Sequence, residues 1–167
     1  TLSTPDFLPY LLSLLEDNPE VSRKLCFELT ESAALNNLSE SSELVTRMKS
    51  LGARFAVDDF GSGYASYSYL TQLPIDFVKI DGSFCVDIDS SPVNQMVVRS
   101  ITEISHTMGT KVIAEFVETR EAMMTLKEIG VDMIQGYYID KPSALQPDKV
   151  DEAQDFDVLS KHPAYFT

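Results

Sequence analysis

Five stretches of this chain place polar side chains directly beside short apolar runs: Glu28, the pair Asp58-Asp59, Lys79 with Asp81, Glu115, and Gln135. Burial penalises such groups unless something pairs with them, so together they suggest a shared site. Four of these side chains, Glu28, Asp58, Asp59 and Glu115, are carboxylates with no histidine or thiol among them. A hard oxygen site of this kind selects Mg²⁺ or Mn²⁺ over zinc or copper. Two such ions bridged by an aspartate suit phosphodiester cleavage, because they activate a water and steady an anionic transition state. Lys79 could orient or activate that water, or neutralise a phosphate oxygen. Gln135 could hydrogen-bond a water or a base edge. His106 lies late in a helical stretch and His162 in the C-terminal tail, so both read as structural or surface residues.

The elements that must position these groups alternate between two periodicities. Apolar runs at 25–29, 54–59, 77–81, 112–117 and 133–138 read as strands. Stretches at 4–16, 40–51, 92–108 and 120–129 carry apolar residues at helical spacing, and a further helix is expected near 147–156. Thr4 and Pro5 suit the start of the first helix, and Gly52, Gly109 and Gly130 close later ones. Residues 64–73 read as a loop with a short helix, halted at Pro74. Strands alternating with amphipathic helices define an α/β fold with a parallel sheet. In such folds the C-terminal strand ends face one crevice or mouth, where chemistry is placed.

A closed eight-stranded barrel takes about 250 residues, and five strands are legible here. Two arrangements fit: a small open sheet, or the last part of a TIM-like barrel. The chain starts at a helix cap with no strand before it, which favours an incomplete barrel of about five strands. Asp58 and Asp59 are neighbours, and neighbouring strand residues point to opposite faces. They could share a site only where the strand frays into Gly61-Ser62-Gly63.

The 167 residues carry a formal charge of −13, with 44% hydrophobic and 10% aromatic residues. This is the composition of a folded domain, and its field opposes nucleic-acid polymers and anionic membranes as partners. An anionic small substrate would need local help from bound cations or a placed lysine. No apolar run approaches the ~20 residues of a membrane span. Cys26 and Cys85 match no metal or redox spacing and read as reduced thiols of a cytoplasmic protein.

The motifs resemble one family in order along the chain. Phe27-Glu28-Leu29-Thr30-Glu31-Ser32, Asp58-Asp59-Phe60-Gly61-Ser62-Gly63-Tyr64, Val78-Lys79-Ile80-Asp81, Ala114-Glu115-Phe116-Val117-Glu118-Thr119 and Gln135-Gly136-Tyr137 are similar to the EAL-domain phosphodiesterases of cyclic di-GMP. The resemblance runs to about residue 142, with 143–167 as a C-terminal helix and tail of a partial EAL domain. It implies a TIM-like barrel that hydrolyses cyclic di-GMP to linear pGpG with two Mg²⁺ or Mn²⁺ ions. It further implies that Glu28, Asp58 and Glu115 are metal ligands with Asp59 at the second ion, and that Lys79 contacts the nucleophilic water. Gln135 matches the glutamine of the active-site mouth, and Glu31 the acid that anchors the loop after Asp59. Asp81 matches a substrate-side position and Glu118 a further acidic position near the metals. The loop from Phe60 to Ser68 is similar to one that couples the metal site to a homodimer through an adjacent helix. An upstream GGDEF or sensor domain is implied, in a cytoplasmic protein or one tethered to a membrane sensor.

Two departures from the family pattern stand out. The name-giving Glu-Ala-Leu strand and the asparagine-bearing strand that follows it are absent, so the chain by itself is expected to be inactive or nearly so. Phe116 replaces a more usual glycine, and its side chain is expected to point away from Glu115 toward the covering helices. A catalytically inactive cyclic di-GMP receptor is the alternative reading. A third is a different Mg²⁺-dependent barrel enzyme using Lys79 as a base on a small phosphorylated substrate; it explains the acids and the lysine but not the loop motif.

Overall fold

A computed structural model describes residues 7–62 and 67–143. Its five strands, β1 (Cys26–Thr30), β2 (Arg54–Phe60), β3 (Phe77–Ile80), β4 (Lys111–Ala114) and β5 (Met133–Ile134), pair in sequence order. All four pairings are parallel. Helices α1 (Phe7–Asp17) and α2 (Pro19–Ser22) precede the sheet, α3 (Glu31–Asn36) and α4 (Leu38–Ser50) join β1 to β2, and a 3-10 turn (Tyr67–Gln72) leads into β3. The remaining crossovers are α5 (Gly82–Cys85) with α6 (Pro92–Thr107), and then α7 (Arg120–Ile129). This is the expected α/β architecture, an incomplete barrel.

The physical basis is burial on both faces of the central strands. Every residue of β3 is buried, as are Phe55, Ala56 and Val57 of β2. Val45 and Met48 of α4, Val98 and Ile101 of α6, and Leu126 of α7 pack against them. Local signals start the helices where the sheet needs them. The hydroxyls of Thr30, Ser91 and Thr119 accept from the backbone N–H of Ala33, Asn94 and Ala122, which caps α3, α6 and α7.

The starts of β2 and β4 are each pinned by an acid from the next loop. Asp76 accepts from Phe55 N–H at 2.9 Å and pairs with Lys49 at 2.7 Å. Asp132 does the same for β4, accepting from Val112 N–H at 2.8 Å while contacting His106 Nε2 at 2.7 Å. These acids sit where strands begin, so they set register and leave the other end to chemistry.

Several elements differ from expectation. Helix α3 occupies residues read as a strand end and loop, and α4 begins at Leu38 rather than near 40. Strand β4 stops at Ala114 instead of 117, and β5 is two residues long instead of six. The cause of the early stop is at Phe116, whose φ of 55° takes the backbone out of the extended region. Beyond it, Val117 N–H donates to Gln135 C=O at 3.1 Å, and Tyr138 N–H to Val117 C=O at 3.0 Å. A side chain at Gly136 would put its Cβ 2.3 Å from Val117 N and O, so only glycine lets the two segments approach this closely. The Thr4–Pro5 helix start, residues 63–66 of the glycine turn and the helix near 147–156 lie outside the described residues. Among the described residues no helix is long and apolar enough to cross a membrane.

Asp132→Ala removes an acceptor from a strand N–H at the end of the sheet remote from Glu115. Urea denaturation is expected to show a loss of about 1–2 kcal/mol, with the Mn²⁺ affinity of the protein unchanged.

Candidate active site

Lys79 is the third residue of β3, and its side chain is 6% exposed. Its ammonium lies 3.0 Å from Glu28 Oε1, 2.8 Å from Asp58 Oδ1 and 2.9 Å from Glu115 Oε1. Those acids come from β1, from β2 and from the residue after β4, so four separate chain segments meet at one nitrogen. Parallel pairing is what permits this. Thr30 lies beside Asp58 and Ile80 beside Ala114, so the strands end level with one another.

The electrostatics follow from that crowding. Burial disfavours the charged lysine, but its contacts with Asp58, Glu115 and Glu28 more than reverse this and raise its affinity for a proton. Glu115 is pushed up from the ordinary carboxylate range, first by burial and then by repulsion from Asp58 and Glu28, against the pull of Lys79. Three carboxylates around one ammonium leave two negative charges uncompensated. Asp58 Oδ1 is buried and has no hydrogen bond of good geometry, only the charge contact with Lys79.

Oxygens of Asp58, Asp59 and Glu115 lie within 4.8 Å of one another, near enough to share a cation. An irregularity in the sheet brings the two adjacent aspartates together. Val57 pairs with Val78 and Phe60 with Ile80, so β2 uses three steps where β3 uses two. The extra residue is a bulge, and Asp59 takes a left-handed φ of 54° within it. Aspartate is among the few residues that tolerate that region. The all-oxygen donors and the negative excess fit Mg²⁺ or Mn²⁺.

Glu31, in the first turn of α3 and 5% exposed, accepts from Gly61 N–H at 2.9 Å and so ties the turn after Asp59 to α3. Asp81 spends a carboxylate oxygen on the N–H of Ser83, capping α5. Glu118 stands apart from the Asp58–Asp59–Glu115 group and is exposed. It lines a cleft of about 230 Å³ with Glu115, Phe116, Gln135, Gly136 and Tyr137. Glu28 also falls outside that three-acid group and reaches it through Lys79.

Phe116 is a correction to the sequence reading. Its side chain is not beneath the covering helices: the residue is 61% exposed and borders the cleft beside Glu115. The left-handed φ at this position breaks the strand alternation on which the expectation rested. The more usual glycine of the family at this position is the one sign of such a turn, and Phe116 itself carries none. Tyr137 at the same mouth was named only within a motif, and Lys141 Nζ stands 5.3 Å from its ring centroid. His106 is engaged with Asp132 away from the acids, and His162 lies outside the described residues. Both cysteines are free; burial pushes Cys26 up to about 11 and Cys85 up to about 12, which leaves them poor nucleophiles.

A parallel β/α sheet whose strand tips gather carboxylates around a buried lysine defines a barrel-type, hard-cation site. The family model for the EAL domain matches residues 1–142, and the chain belongs to that family. It is 43% identical over 124 residues to the cyclic di-GMP phosphodiesterase PdeB of Shewanella oneidensis, an alignment covering 74% of this chain and 14% of that protein. The crystal structure of the EAL domain of Mycobacterium smegmatis DcpA superposes with a TM-score of 0.78 at 28% identity, covering 99% of this chain and 70% of that one. The manganese/cyclic di-GMP complex of Klebsiella pneumoniae BlrP1 gives 0.71 at 29% identity, covering 80% of this chain and 34% of that one. The chain spans between 14% and 22% of the length of the first curated relatives it matches.

A cation entering this site must displace any proton from Glu115, whose affinity for that proton is raised. Calorimetric titration with Mn²⁺ is therefore expected to show affinity falling as pH drops, beginning above the ordinary glutamate value of about 4.3. Glu115→Gln is expected to weaken binding at all pH values and to remove that part of the dependence.

Proposed function

We propose that the protein containing this chain hydrolyses cyclic di-GMP to linear pGpG. The observation that carries the reading is the contact of Lys79 with Glu28, Asp58 and Glu115 at 2.8–3.0 Å, in a chain whose relatives include named cyclic di-GMP phosphodiesterases. Asp58, Glu115 and Glu28 would hold one divalent cation, and Asp59 would serve a second. When bound, Mg²⁺ or Mn²⁺ supplies an activated water and neutralises charge on the phosphate.

The chain's own residues do the rest. Lys79, held protonated by three acids, donates a hydrogen bond to the attacking water and steadies the phosphoryl oxygens. Water oxygen bonds to phosphorus, the ribose oxygen leaves with a proton, and the ring opens. Gln135 binds the substrate at the mouth, and Asp81 borders the substrate side beyond its capping bond. Glu118 adds an acid near the cations. Glu31 positions Asp59 through the N–H of Gly61. A substrate with two anionic phosphates approaches a chain of charge −13, so the cations also make binding possible.

The same reading places the protein in the cytoplasm, either free there or tethered to a membrane sensor, with a GGDEF or sensor domain upstream and a homodimer formed through the loop after Asp59 and an adjacent helix. The greater length of the relatives supports further domains.

The test is turnover of cyclic di-GMP by the full-length protein in Mg²⁺ or Mn²⁺. Glu28→Ala and Lys79→Met are each expected to lower kcat at least 100-fold, on the order of the loss of a charge-stabilising group. Unchanged turnover in Glu28→Ala rejects the assignment, and tight binding without turnover in the unaltered protein turns the reading to a receptor.

A further inference from the structure

Four buried side-chain oxygens have no hydrogen-bond partner among the described residues, those of Ser22, Asp58, Tyr69 and Ser105. Ser22 and Ser105 come just before the starts of β1 and β4, and Asp58 has its charge contact with Lys79. Tyr69 is different. The residue is 2% exposed, and a phenol stripped of water with nothing to bond carries a cost that phenylalanine, with the same ring, would not. Further chain packed on this domain could only cover the hydroxyl more, so any partner for it lies inside the fold.

Tyr69 stands in the 3-10 turn that leads into β3, with its ring centroid 6.4 Å from that of Phe60. Phe60 ends β2 directly after Asp59, and the next residue is Gly61, whose N–H donates to Glu31 at 2.9 Å. The turn is enclosed on a second side, where a Cβ at Gly61 would come 3.0 Å from Phe84 Cε2 and 3.6 Å from Ile101 Cδ1. Glu31 is itself 5% exposed, and its negative charge reaches the phenol. Burial first, and then that charge, push the Tyr69 hydroxyl up from the ordinary tyrosine range, so it keeps its proton and stays a donor. A carboxylate accepts more than one donor, and Glu31 is the carboxylate whose charge acts on this hydroxyl.

We infer that Tyr69 is a positioning residue for Asp59, its hydroxyl serving as a further donor to Glu31 when Asp59 takes up its place at a cation. The Gly61 N–H and the Tyr69 O–H then hold one carboxylate from two elements, and the turn after Asp59 is fixed between them. The inference rests on the cyclic di-GMP reading and deepens it, by naming what steadies the aspartate of the second cation.

The variant that isolates the hydroxyl is Tyr69→Phe in the full-length protein. Without divalent cation its urea midpoint is expected to equal or exceed that of the unaltered protein, because a buried unpaired group is removed. The rise in that midpoint on adding Mn²⁺ is expected to be smaller than in the unaltered protein. In hydrolysis of cyclic di-GMP, kcat is expected to fall about tenfold, the rate equivalent of one hydrogen bond, with KM within about twofold. In a Glu31→Ala background the same substitution is expected to change neither the Mn²⁺ response nor kcat further. A lowered midpoint without cation overturns the inference, because the hydroxyl is then ordinary support for the fold. An unchanged Mn²⁺ response or an unchanged kcat overturns it too, as does an equal loss in the Glu31→Ala background. If Glu31→Ala fails to fold, the Mn²⁺ response of Tyr69→Phe decides. Each of these results leaves the cyclic di-GMP reading standing while the unaltered protein turns over. No hydrolysis by the unaltered protein removes both readings.

Discussion

The arrangement depends on one buried ammonium and the acids that hold it. Lys79 sits in a strand enclosed on both faces, where its charge survives only because Glu28, Asp58 and Glu115 are brought to it. Those acids in turn repel one another, and the lysine does not balance them. The site is thus built with a standing demand for positive charge at the strand tips. Parallel pairing meets the geometric requirement: strands that run the same way and end level present their last side chains to one space.

Regular strands alone would not suffice, because alternation sends adjacent side chains apart. Two of the non-glycine residues with left-handed backbone, Asp59 in β2 and Phe116 after β4, are at the site. The bulge at Asp59 turns a second carboxylate toward the first, and the turn at Phe116 ends β4 and puts an aromatic ring at the cleft. The opposite end of the sheet is different in kind. There Asp76 and Asp132 satisfy strand N–H groups, and the sheet is pinned in register. The bulge and the early strand stop thus fall at the carboxylate end, while acids hold strand N–H groups at the other.

Much of this was legible in the residue pattern. The five strands and the helices between them follow from the alternation of compact apolar runs with 3.6-residue periodicity, and the meeting of strand-end acids around Lys79 follows from parallel topology. Boundaries were less legible. Helix α3 is not legible because Glu31-Ser32 reads as polar loop without the capping contact of Thr30. Val117 is apolar and Tyr137 and Tyr138 suit strands, so the residue pattern extends β4 and β5 beyond the points where the close packing at Gly136 ends them.

What the sequence determined by itself was the chemistry: hard oxygen donors, a single lysine among them, and an order of motifs that matches one family. Local side-chain identity and spacing carry that information directly. What only the tertiary structure decided was direction and distance: that Asp58 and Asp59 face one space, that Asp81 caps α5, that Glu118 stands apart, and that Phe116 faces the cleft. Those outcomes turn on φ values and interstrand register, which arise from packing between segments far apart in the chain and leave no mark on the residues concerned.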